Sequence, residues 1–189
     1  MGKDRLAMDG ATKIDRRALA GLAAAMMAPK AAEAATAPAT PSLRFIFEAN
    51  VTLGPPQELG ATAAARSRFV PITGGTVTGP KMKGTILPGG GDWQEIGNDG
   101  VTLIHARYLM KASDGTAIAI DNPGVRVATP DIIARLTAGE DLDPALYYFR
   151  TTPSFQVAKG PHDWLRRSVF ICQGIRHPQS VALRFFQVS

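Results

Sequence analysis

The chain has 189 residues, of which 45% are hydrophobic and 20% charged, a composition that fits one soluble globular domain with a real core. Its formal net charge is +5, but six basic and four acidic groups fall within the first 34 residues, so the remainder carries only +3. So small and scattered an excess argues against a nucleic-acid partner.

Residues 1–37 are predicted to be a twin-arginine (Tat) signal peptide and lead-in. The pair Arg16–Arg17 precedes the weakly apolar run Ala18–Ala28, and both Ala32–Ala34 and Ala35–Ala37 fit a small-x-small cleavage site. The apolar run is too short to span a bilayer, which takes roughly 20 residues. We therefore expect the Tat machinery to export the precursor and the mature protein to be periplasmic, with no membrane partner. The alternative is an Ala-rich amphipathic helix that stays attached.

Residues 43–189 are predicted to form a single domain of antiparallel strands. Turn signals rich in Gly, Pro, Asn and Asp divide an apolar, β-branched sequence into short runs, and between residues 69 and 126 they indicate a β-meander. The predicted strands are Leu43–Thr52, Phe69–Ile72, Thr76–Thr78, Lys83–Leu87, Val101–Lys111, Gly115–Asn122, Tyr147–Phe155, Ser168–Ile175 and Val181–Val188. Eight or nine strands favour a closed or nearly closed barrel.

The segments between the strands carry helix, turn and loop signals. Asp131–Ala138 has helical spacing and an acidic start, and Gly139 is a natural stop, so one short helix is predicted there. Asp143–Leu146 is predicted to add one further turn, capped by Asp143. The Ala-rich segment Glu58–Arg66 is expected to be a loop or a short helical turn.

Glycine clusters predict two special places in the backbone. The pair Gly74–Gly75 indicates a bulge or a close backbone approach. Pro88–Asp92 contains three successive glycines and is predicted to be a loop that lets a ligand approach the backbone, with Trp93 as a flat apolar wall. The alternative is a loop that only turns a corner, with Trp93 closing one end of the barrel.

Several motifs are missing from the sequence. It contains no P-loop, GxGxxG, HExxH or GxSxG motif, and its three histidines are scattered without metal-ligand spacing. Cys172 is the single cysteine, which excludes an intramolecular disulfide and a Cys-based zinc site. Its apolar neighbours predict buried packing rather than a nucleophile. No cofactor and no metal are therefore predicted.

Four segments resemble a known family of bacterial and fungal proteins. They are FVPITGGTVTGPKMKGTILPGGGDW (69–93), DGVTLIHARYLMKASDGTAIAIDNPGVR (99–126), YYFRTTPSF (147–155) and WLRRSVFICQG (164–174). They are similar to domain of unknown function 3237, also called uncharacterised protein family 0311, over about Leu43 to Val188. The resemblance implies a small β-barrel. Two departures from the family pattern are His105, where relatives usually have Asp, and Arg166, where they usually have Asn.

The groups able to do chemistry centre on one predicted strand. His105 and Arg107 are two residues apart and share a face, which we expect to meet a partly polar cavity, whereas Tyr108 points the other way. Arg107 is expected to pair with a carboxylate, either from a ligand or from Glu48 or Asp92. A structural Arg–acid pair that holds the barrel together is the alternative.

Proton transfer is assigned to His105 or Glu48, so the catalytic candidates are His105, Glu48 and Arg107. A lone histidine on a strand is more often satisfied structurally, and that alternative stays open. The ligand-binding candidates are Asp92, Trp93, Tyr108, Asn122, Arg150 and Trp164.

These features predict a cofactor-free lyase or isomerase in a calycin-like or allene-oxide-cyclase-like barrel, acting on a small aromatic or carbonyl-bearing molecule. Arg107, with Arg150, would hold an oxygen of the substrate, and Trp93 and Trp164 would stack on it. The first alternative is a non-catalytic periplasmic binding or carrier barrel for the same ligand. The second is an assembly module, which would show a large exposed apolar patch. A small molecule is the expected partner, and self-association into a homo-oligomer stays open.

Overall fold

The structure, a computed structural model, describes residues 40–189, and the predicted export segment at residues 1–37 lies outside this part. Eleven strands dominate it. They are β1 Leu43–Leu53, β2 Gln57–Ala61, β3 Ala65–Thr78, β4 Gly84–Ile86, β5 Gly90–Gly97, β6 Val101–Ala112, β7 Ala117–Val127, β8 Tyr148–Thr151, β9 Ser154–Val157, β10 Phe170–Arg176 and β11 Ser180–Val188. One α-helix, α1, spans Pro130–Thr137, and 3₁₀ turns lie at Pro144–Leu146 and Asp163–Arg167.

Eight of these strands close into a ring in which every pairing is antiparallel. Around the ring the order is β1, β3, β5, β6, β7, β8, β10, β11 and back to β1. The first and last strands close the barrel, with partners from Leu43 and Val188 to Thr52 and Ser180. The predicted fold, an antiparallel barrel with one short helix, is confirmed. An eight-stranded barrel leaves an interior that side chains fill or that holds one small ligand.

One end of the barrel is filled by apolar side chains. Phe47 stacks on Phe185 with ring centroids 4.5 Å apart, and Phe155 meets Phe170 edge-on at 5.0 Å. All four rings are buried in the main core, together with Leu165 from the second 3₁₀ turn. Burying one such side chain stabilises the fold by about 1.5–3 kcal/mol, so this end is a packed plug rather than an opening.

A second apolar cluster covers the opposite side of the interior. Ile132 and Leu136 on the inner face of α1 pack with Ile104, Tyr147 and Phe149. The helix agrees with the predicted segment 131–138 to within one residue at each end. The predicted turn is also confirmed, because Asp143 accepts a hydrogen bond from the backbone nitrogen of Ala145 at 2.9 Å.

Most of the segment 58–66 is strand, so its prediction as a loop or helical turn is wrong except at residues 62–64, which form the turn between β2 and β3. Gln57–Ala61 pairs with the start of β3, and Ala65 already pairs with Gly97 of β5. Alanine has a high helix propensity, but the strands on either side supply the hydrogen-bond partners that decide the conformation.

The two short strand pieces predicted around Gly74–Gly75 are one strand, β3, which contains a bulge. Thr52 is paired with Gly74 but Leu53 with Ile72, so one β3 residue is left over. A Cβ atom on Gly75 would collide with the backbone oxygen of Asn50. The bulge and the close approach expected from paired glycines are therefore both present.

The predicted strand 147–155 is in fact two strands. β8 pairs with β7 and β10, whereas β9 pairs with β7 alone. Pro153 lies between them and has no N–H to donate to a ladder, so the run is interrupted there. No helix within residues 40–189 is both long and apolar enough to cross a bilayer.

Candidate functional site

The inner face of β6 is the reverse of the predicted one. Tyr108, Ile104 and Ala106 point inward and are buried, whereas the side chains of His105 and Arg107 are 52% and 66% exposed on the outside. The expectation that His105 and Arg107 face a cavity inside the barrel is wrong, although Tyr108 does lie on the opposite face from them. Both faces of this strand carry apolar residues, and keeping the charged groups in water avoids their desolvation cost.

His105 and Arg107 take part in a cluster on the outer surface with Asp121 of β7. The Nε2 atom of His105 lies 2.6 Å from Oδ1 of Asp121, and Nε of Arg107 lies 3.6 Å from the same oxygen. Arg107 thus has the internal carboxylate partner that was expected, but it comes from Asp121 rather than from Glu48 or Asp92. Exposed pairs of this kind contribute about 0–1 kcal/mol.

Glu48 and Arg150 also point away from the interior. Glu48 lies 3.6 Å from Nε of Arg184 across the β1–β11 pair. Arg150 stacks over the ring of Tyr148, with its guanidinium carbon 5.1 Å from the ring centroid. The expectation that these two residues meet a ligand in the barrel interior is wrong, because the residues that alternate with them carry the inward face.

The two tryptophans do not share a pocket either. Trp93 is 48% exposed and packs on the outside against Phe69, with ring centroids 4.8 Å apart. Trp164 packs against Phe170 at the apolar end. The prediction that Trp93 and Trp164 stack on one ligand inside the barrel is therefore wrong.

The glycine-rich segment 88–92 is mostly strand, not the predicted loop. A Cβ atom on Gly90 would lie 2.5 Å from Cβ of Tyr108, and one on Gly91 would overlap the ring of Phe69. These glycines are required because neighbouring side chains pack against the backbone of β5 from both faces. The strand geometry then turns Asp92 inward and Trp93 outward.

A pocket lies inside the barrel between the two apolar clusters. Three arginines, Arg68, Arg126 and Arg176, and one acid, Asp92, line it together with apolar side chains. Its free volume is about 40 Å³, which is room for about three water molecules. Of the predicted ligand-binding residues, Asp92, Tyr108 and Asn122 line this pocket, where their binding roles stay predictions.

Asp92 is held by hydrogen bonds at both carboxylate oxygens. Nε2 of Gln94 donates to Oδ2 at 2.5 Å, and the backbone nitrogen of His105 donates to Oδ1 at 3.1 Å. Gln94 is itself oriented by Arg68, whose Nε donates to Oε1 at 2.9 Å. His105 therefore contributes to the pocket through its backbone and not through its ring.

The environment of Asp92 raises the pKa of its carboxyl toward neutral pH. Burial raises the pKa of the Asp92 carboxyl to about 6, against the opposing effects of the hydrogen bond from Gln94 and the positive charge of Arg126. A carboxyl with this pKa exchanges a proton readily near neutral pH, which is what general acid–base catalysis requires.

Arg126 presents unused donors to the pocket. It is 2% exposed, and its Nε and Nη2 atoms are buried without a hydrogen-bond partner within residues 40–189. Burial, with the nearby charges of Arg68 and Arg176, lowers its pKa to about 10. The group therefore stays protonated at neutral pH.

Arg176 lies nearer the outside and is held by the backbone. Its Nη1 donates to the carbonyl oxygen of Ser180 at 2.8 Å and its Nη2 to that of Pro178 at 3.2 Å. Burial lowers its pKa. Arg176 thus adds positive potential to the pocket while most of its donors are already engaged.

Five more side-chain polar atoms are buried without a partner in the described part of the chain, and three of them belong to residues that line the pocket. These three are the hydroxyl of Tyr108, Oδ1 of Asn122 and Oγ1 of Thr151. Burial raises the pKa of the Tyr108 hydroxyl well above its usual value, so the group stays neutral and can donate. Buried polar atoms without a protein partner on several strands indicate a site that ordered water or a ligand completes.

Sequence reasoning missed Arg68, Gln94, Arg126 and Arg176. The period-two alternation carried a signal for the arginines: Arg68 falls in step with the inward residues Val70 and Ile72, and Arg126 with Asn122. Extending the inner face of each strand to its end would have identified them.

Cys172 is fully buried, and burial raises the pKa of its thiol to about 12. The prediction of packing rather than a nucleophile is confirmed, because the reactive form of cysteine is the thiolate. Between residues 40 and 189 no three His, Cys, Asp or Glu side chains are grouped as metal ligands would be.

Fold and site together define a closed eight-stranded antiparallel barrel with a positively charged internal pocket. The chain belongs to the family described as Protein of unknown function (DUF3237), whose model matches residues 41–188. A UPF0311 protein of Clostridium acetobutylicum is 35% identical over 145 residues, which cover 76% of this chain and 92% of that protein. The family predicted from the four segments is confirmed.

Solved structures share the fold. A conserved protein of unknown function from Rhodopseudomonas palustris matches with a TM-score of 0.77 and 29% identity, over 80% of this chain and 99% of that one. A β-barrel-like protein from Acinetobacter baumannii matches with a TM-score of 0.70 and 32% identity, over 80% and 98%.

Two of the similar proteins come from a fungus. The hydroalkoxylation enzyme phnH of Penicillium herquei is 37% identical over 83 residues, which cover 44% of this chain and 55% of that protein. The crystal structure of an enzyme from the same species matches the fold with a TM-score of 0.61 and 24% identity, over 80% of this chain and 97% of that one. The barrel is thus distantly related to an enzyme.

Proposed function

We propose that the barrel is a lyase or isomerase that moves a proton on a small carbonyl-bearing molecule bound in the internal pocket. The observation that carries the proposal is Asp92, a carboxyl with a pKa of about 6 that is fixed at both oxygens beside a cluster of arginines. Asp92 takes the role of proton carrier that the sequence suggested for His105 or Glu48.

The proposed chemistry needs only a base and a positive environment. The Asp92 carboxylate accepts a proton from a C–H next to a carbonyl, or from a hydroxyl, and the negative charge moves onto a substrate oxygen. The guanidinium groups of Arg68, Arg126 and Arg176 stabilise that charge in a water-poor setting. Return of the same proton to another atom completes an isomerisation or an intramolecular addition, with no net change in atoms or electrons.

The relationship to a hydroalkoxylation enzyme supports this reaction class. Hydroalkoxylation adds an O–H group across a carbon–carbon double bond, so a proton leaves oxygen and is delivered to carbon. A single carboxyl that gains and loses a proton near neutral pH could serve both transfers. The identity between the two chains covers about half of each, so the class of reaction is proposed and the substrate is not.

A non-catalytic carrier is the second candidate. The unpartnered donors and acceptors of the pocket support a carrier as well as they support an enzyme. A carrier needs the arginines and the buried polar atoms but no proton carrier. The free volume of about 40 Å³ is small for either role. A larger ligand requires side chains that line the pocket to move aside.

The test is proton exchange in heavy water. The full chain is incubated in D₂O with a panel of small ketones, lactones and hydroxy-enones, and loss of C–H signals is followed by NMR. We expect exchange or conversion of at least one compound, and we expect Asp92→Asn to slow it by about 10²–10⁴-fold, the usual contribution of a general base.

His105→Ala and Glu48→Ala are the matched controls, since both residues lie on the outer face. They should retain the wild-type rate. If Asp92→Asn binds the compound and turns it over at the wild-type rate, Asp92 is not the proton carrier. If a compound binds but neither the wild type nor any variant exchanges its protons, the protein is a carrier rather than an enzyme.

Export remains part of the proposal. The pair Arg16–Arg17, followed by an Ala-rich apolar run, supports a Tat route to the periplasm. Replacing both arginines with lysine should retain the precursor in the cytoplasm in a fractionation experiment. An equal periplasmic yield from the Lys–Lys variant would remove the Tat route.

A further inference from the structure

We propose that the pocket binds its ligand through a carboxylate, which the free edge of Arg126 grips with two parallel hydrogen bonds. This inference rests on the proposed function in one respect, that the internal pocket is the ligand site. It is independent of whether Asp92 moves a proton. It narrows the ligand from a carbonyl-bearing molecule to a small carboxylic acid.

The buried guanidinium group of Arg126 has no acidic partner in the described part of the chain. The residue is 2% exposed, and no carboxylate of residues 40–189 comes within ion-pair distance of its guanidinium group. Asp92 forms no ion pair with Arg126 and acts on it only through a longer-range electrostatic attraction. Burying a guanidinium group without a paired acid is strongly unfavourable in free energy, and the folded protein already carries this cost. A ligand carboxylate that pairs with the group relieves the cost, which strengthens binding.

The side edge of the Arg126 guanidinium group is free. Its Nε and Nη2 atoms are both buried without a hydrogen-bond partner within residues 40–189, and they lie on the same edge of the planar group. Their N–H bonds run parallel, which matches the two oxygens of a carboxylate in a fork-to-fork geometry. A single carbonyl oxygen would leave one of the two donors unsatisfied.

In the other two arginines the corresponding Nε–Nη2 edge is already partly engaged. Nε of Arg68 already donates to Gln94, and the guanidinium of Arg176 is turned toward the backbone carbonyls of Pro178 and Ser180. The flat side edge of Arg126 fits a monoanion with two coplanar oxygens better than a phosphate. A phosphate brings further oxygens that would need donors of their own.

A second polar group lines the same pocket. The Asn122 side chain and the Tyr108 hydroxyl lie close enough to influence each other, but neither Oδ1 of Asn122 nor the hydroxyls of Tyr108 and Thr151 make a hydrogen bond of good geometry within residues 40–189. Asn122 and Arg126 lie four residues apart on the same face of β7, about 13 Å between their Cα atoms at the usual rise. An acid that carries a hydroxyl or enol group some distance from its carboxylate can satisfy both ends.

The test compares acids with their neutral amides on the full chain by isothermal titration calorimetry. The probes are glycolate, mandelate and 4-hydroxybenzoate, each with its primary amide, and inorganic phosphate. We expect at least one acid to bind about tenfold or more tightly than its amide, because the amide offers one acceptor oxygen instead of two. This comparison uses only the wild-type protein, so it does not depend on a variant that folds.

Arg126→Lys is the matched variant, since it keeps the charge and removes the fork. It should weaken the binding of the acid by about tenfold or more, while Arg107→Lys on the outer face leaves the affinity unchanged. Circular dichroism and thermal unfolding check that the Arg126→Lys barrel is folded.

Three results would overturn the proposal. They are equal binding of an acid and its amide, wild-type affinity for the acid in Arg126→Lys, and no binding of any of the three acids, whether or not phosphate binds. Asp92→Asn separates this inference from the proposed function. Acid binding that survives in Asp92→Asn, with no proton exchange even in wild type, would leave carboxylate recognition standing and remove the catalysis.

Discussion

At the scale of single residues, the pocket combines one carboxyl group with three arginines. Asp92 is the acid on the inner wall, and Arg68, Arg126 and Arg176 surround it at a distance. The arginines would by themselves lower its pKa, yet burial outweighs them and the pKa stands at about 6. Ionisation of such a buried carboxyl lowers the stability of the fold, and its raised pKa lets it exchange a proton near neutral pH.

The stability cost of Asp92 leads to a pH-dependent prediction. Its pKa is about 6 in the fold and 3.8 ordinarily, so between these values the folded state binds more protons than the unfolded state. Stability therefore falls as pH rises through this window, by up to about 3 kcal/mol for two pKa units, and stays low above it. We expect Asp92→Asn to raise the free energy of unfolding relative to wild type at pH 7.5 more than at pH 4. Urea unfolding at both values measures the difference.

The control for this prediction is Asp121→Asn, since Asp121 lies on the outer face in an exposed cluster. It should not reproduce the rise in stability at pH 7.5. The prediction fails if the difference between Asp92→Asn and wild type is the same at both pH values.

The same carboxyl predicts a pH profile for the exchange reaction. As a general base, Asp92 works in its ionised form, which dominates above its pKa of about 6. We expect kcat/KM to rise about tenfold per pH unit below the inflection and to level off above it. A profile measured by NMR that is flat from pH 4.5 to 8 would assign the base to another group.

At the scale of elements, β5 decides which groups enter the pocket. The strand begins at Gly90 and passes so close to β6 and β3 that only glycine fits at its first two positions. Because these residues are paired in the sheet, the alternation that follows is rigid. It turns Asp92 and Gln94 inward and Trp93 outward.

This close packing predicts a large effect for a single methyl group. Gly90→Ala should destabilise the protein by about 1–3 kcal/mol, because the new Cβ would lie 2.5 Å from Cβ of Tyr108 and 2.6 Å from the backbone oxygen of Arg107. Gly160→Ala is the control, since a Cβ there meets nothing within 4 Å. Chemical denaturation of both variants measures the change. Equal stability would mean that β5 and β6 separate more easily than the structure indicates.

At the scale of the whole molecule, the barrel divides into an apolar end and a polar pocket. Phe47, Phe155, Phe170 and Phe185 close one end, and the buried arginines lie on the other side of the shared floor formed by Tyr108, Ile72 and Leu183. The apolar end supplies the stability that allows uncompensated polar groups in the pocket. Such a division is common where a site has to be strained and the fold still has to be stable.

Phe47 tests this division. Its ring is fully buried and contacts Phe155 and Phe185. Phe47→Ala should cost about 3–5 kcal/mol of unfolding free energy, the usual loss for a buried phenylalanine. Phe45→Ala is the control, since Phe45 is only partly buried, on the outer face beside Arg184, and should cost clearly less. Similar losses for the two variants in urea would contradict a core that is concentrated inside the barrel.

Alternation of apolar and polar residues, turn signals and one helix pattern were enough to identify an antiparallel barrel from the sequence alone. These signals are local, because a strand's period of two and a helix's cap depend on neighbours along the chain. They located β1, β6, β11 and α1 to within one residue, whereas β7 continues five residues past its predicted end at Asn122. The segment 58–66 was misread for the same reason, since its strand conformation comes from partners distant in the chain.

Only the tertiary structure decided which face of each strand is the inside. In β6 both faces carry apolar residues, so the sequence could not determine whether Tyr108 or His105 and Arg107 point inward. Closure of the ring settles this, because all eight strands must turn their compatible faces to one interior. The same closure brings Arg68, Asp92 and Arg126 together from three strands that lie far apart in sequence. The pocket is therefore a property of the closed barrel, whereas the strands that build it are a property of the sequence.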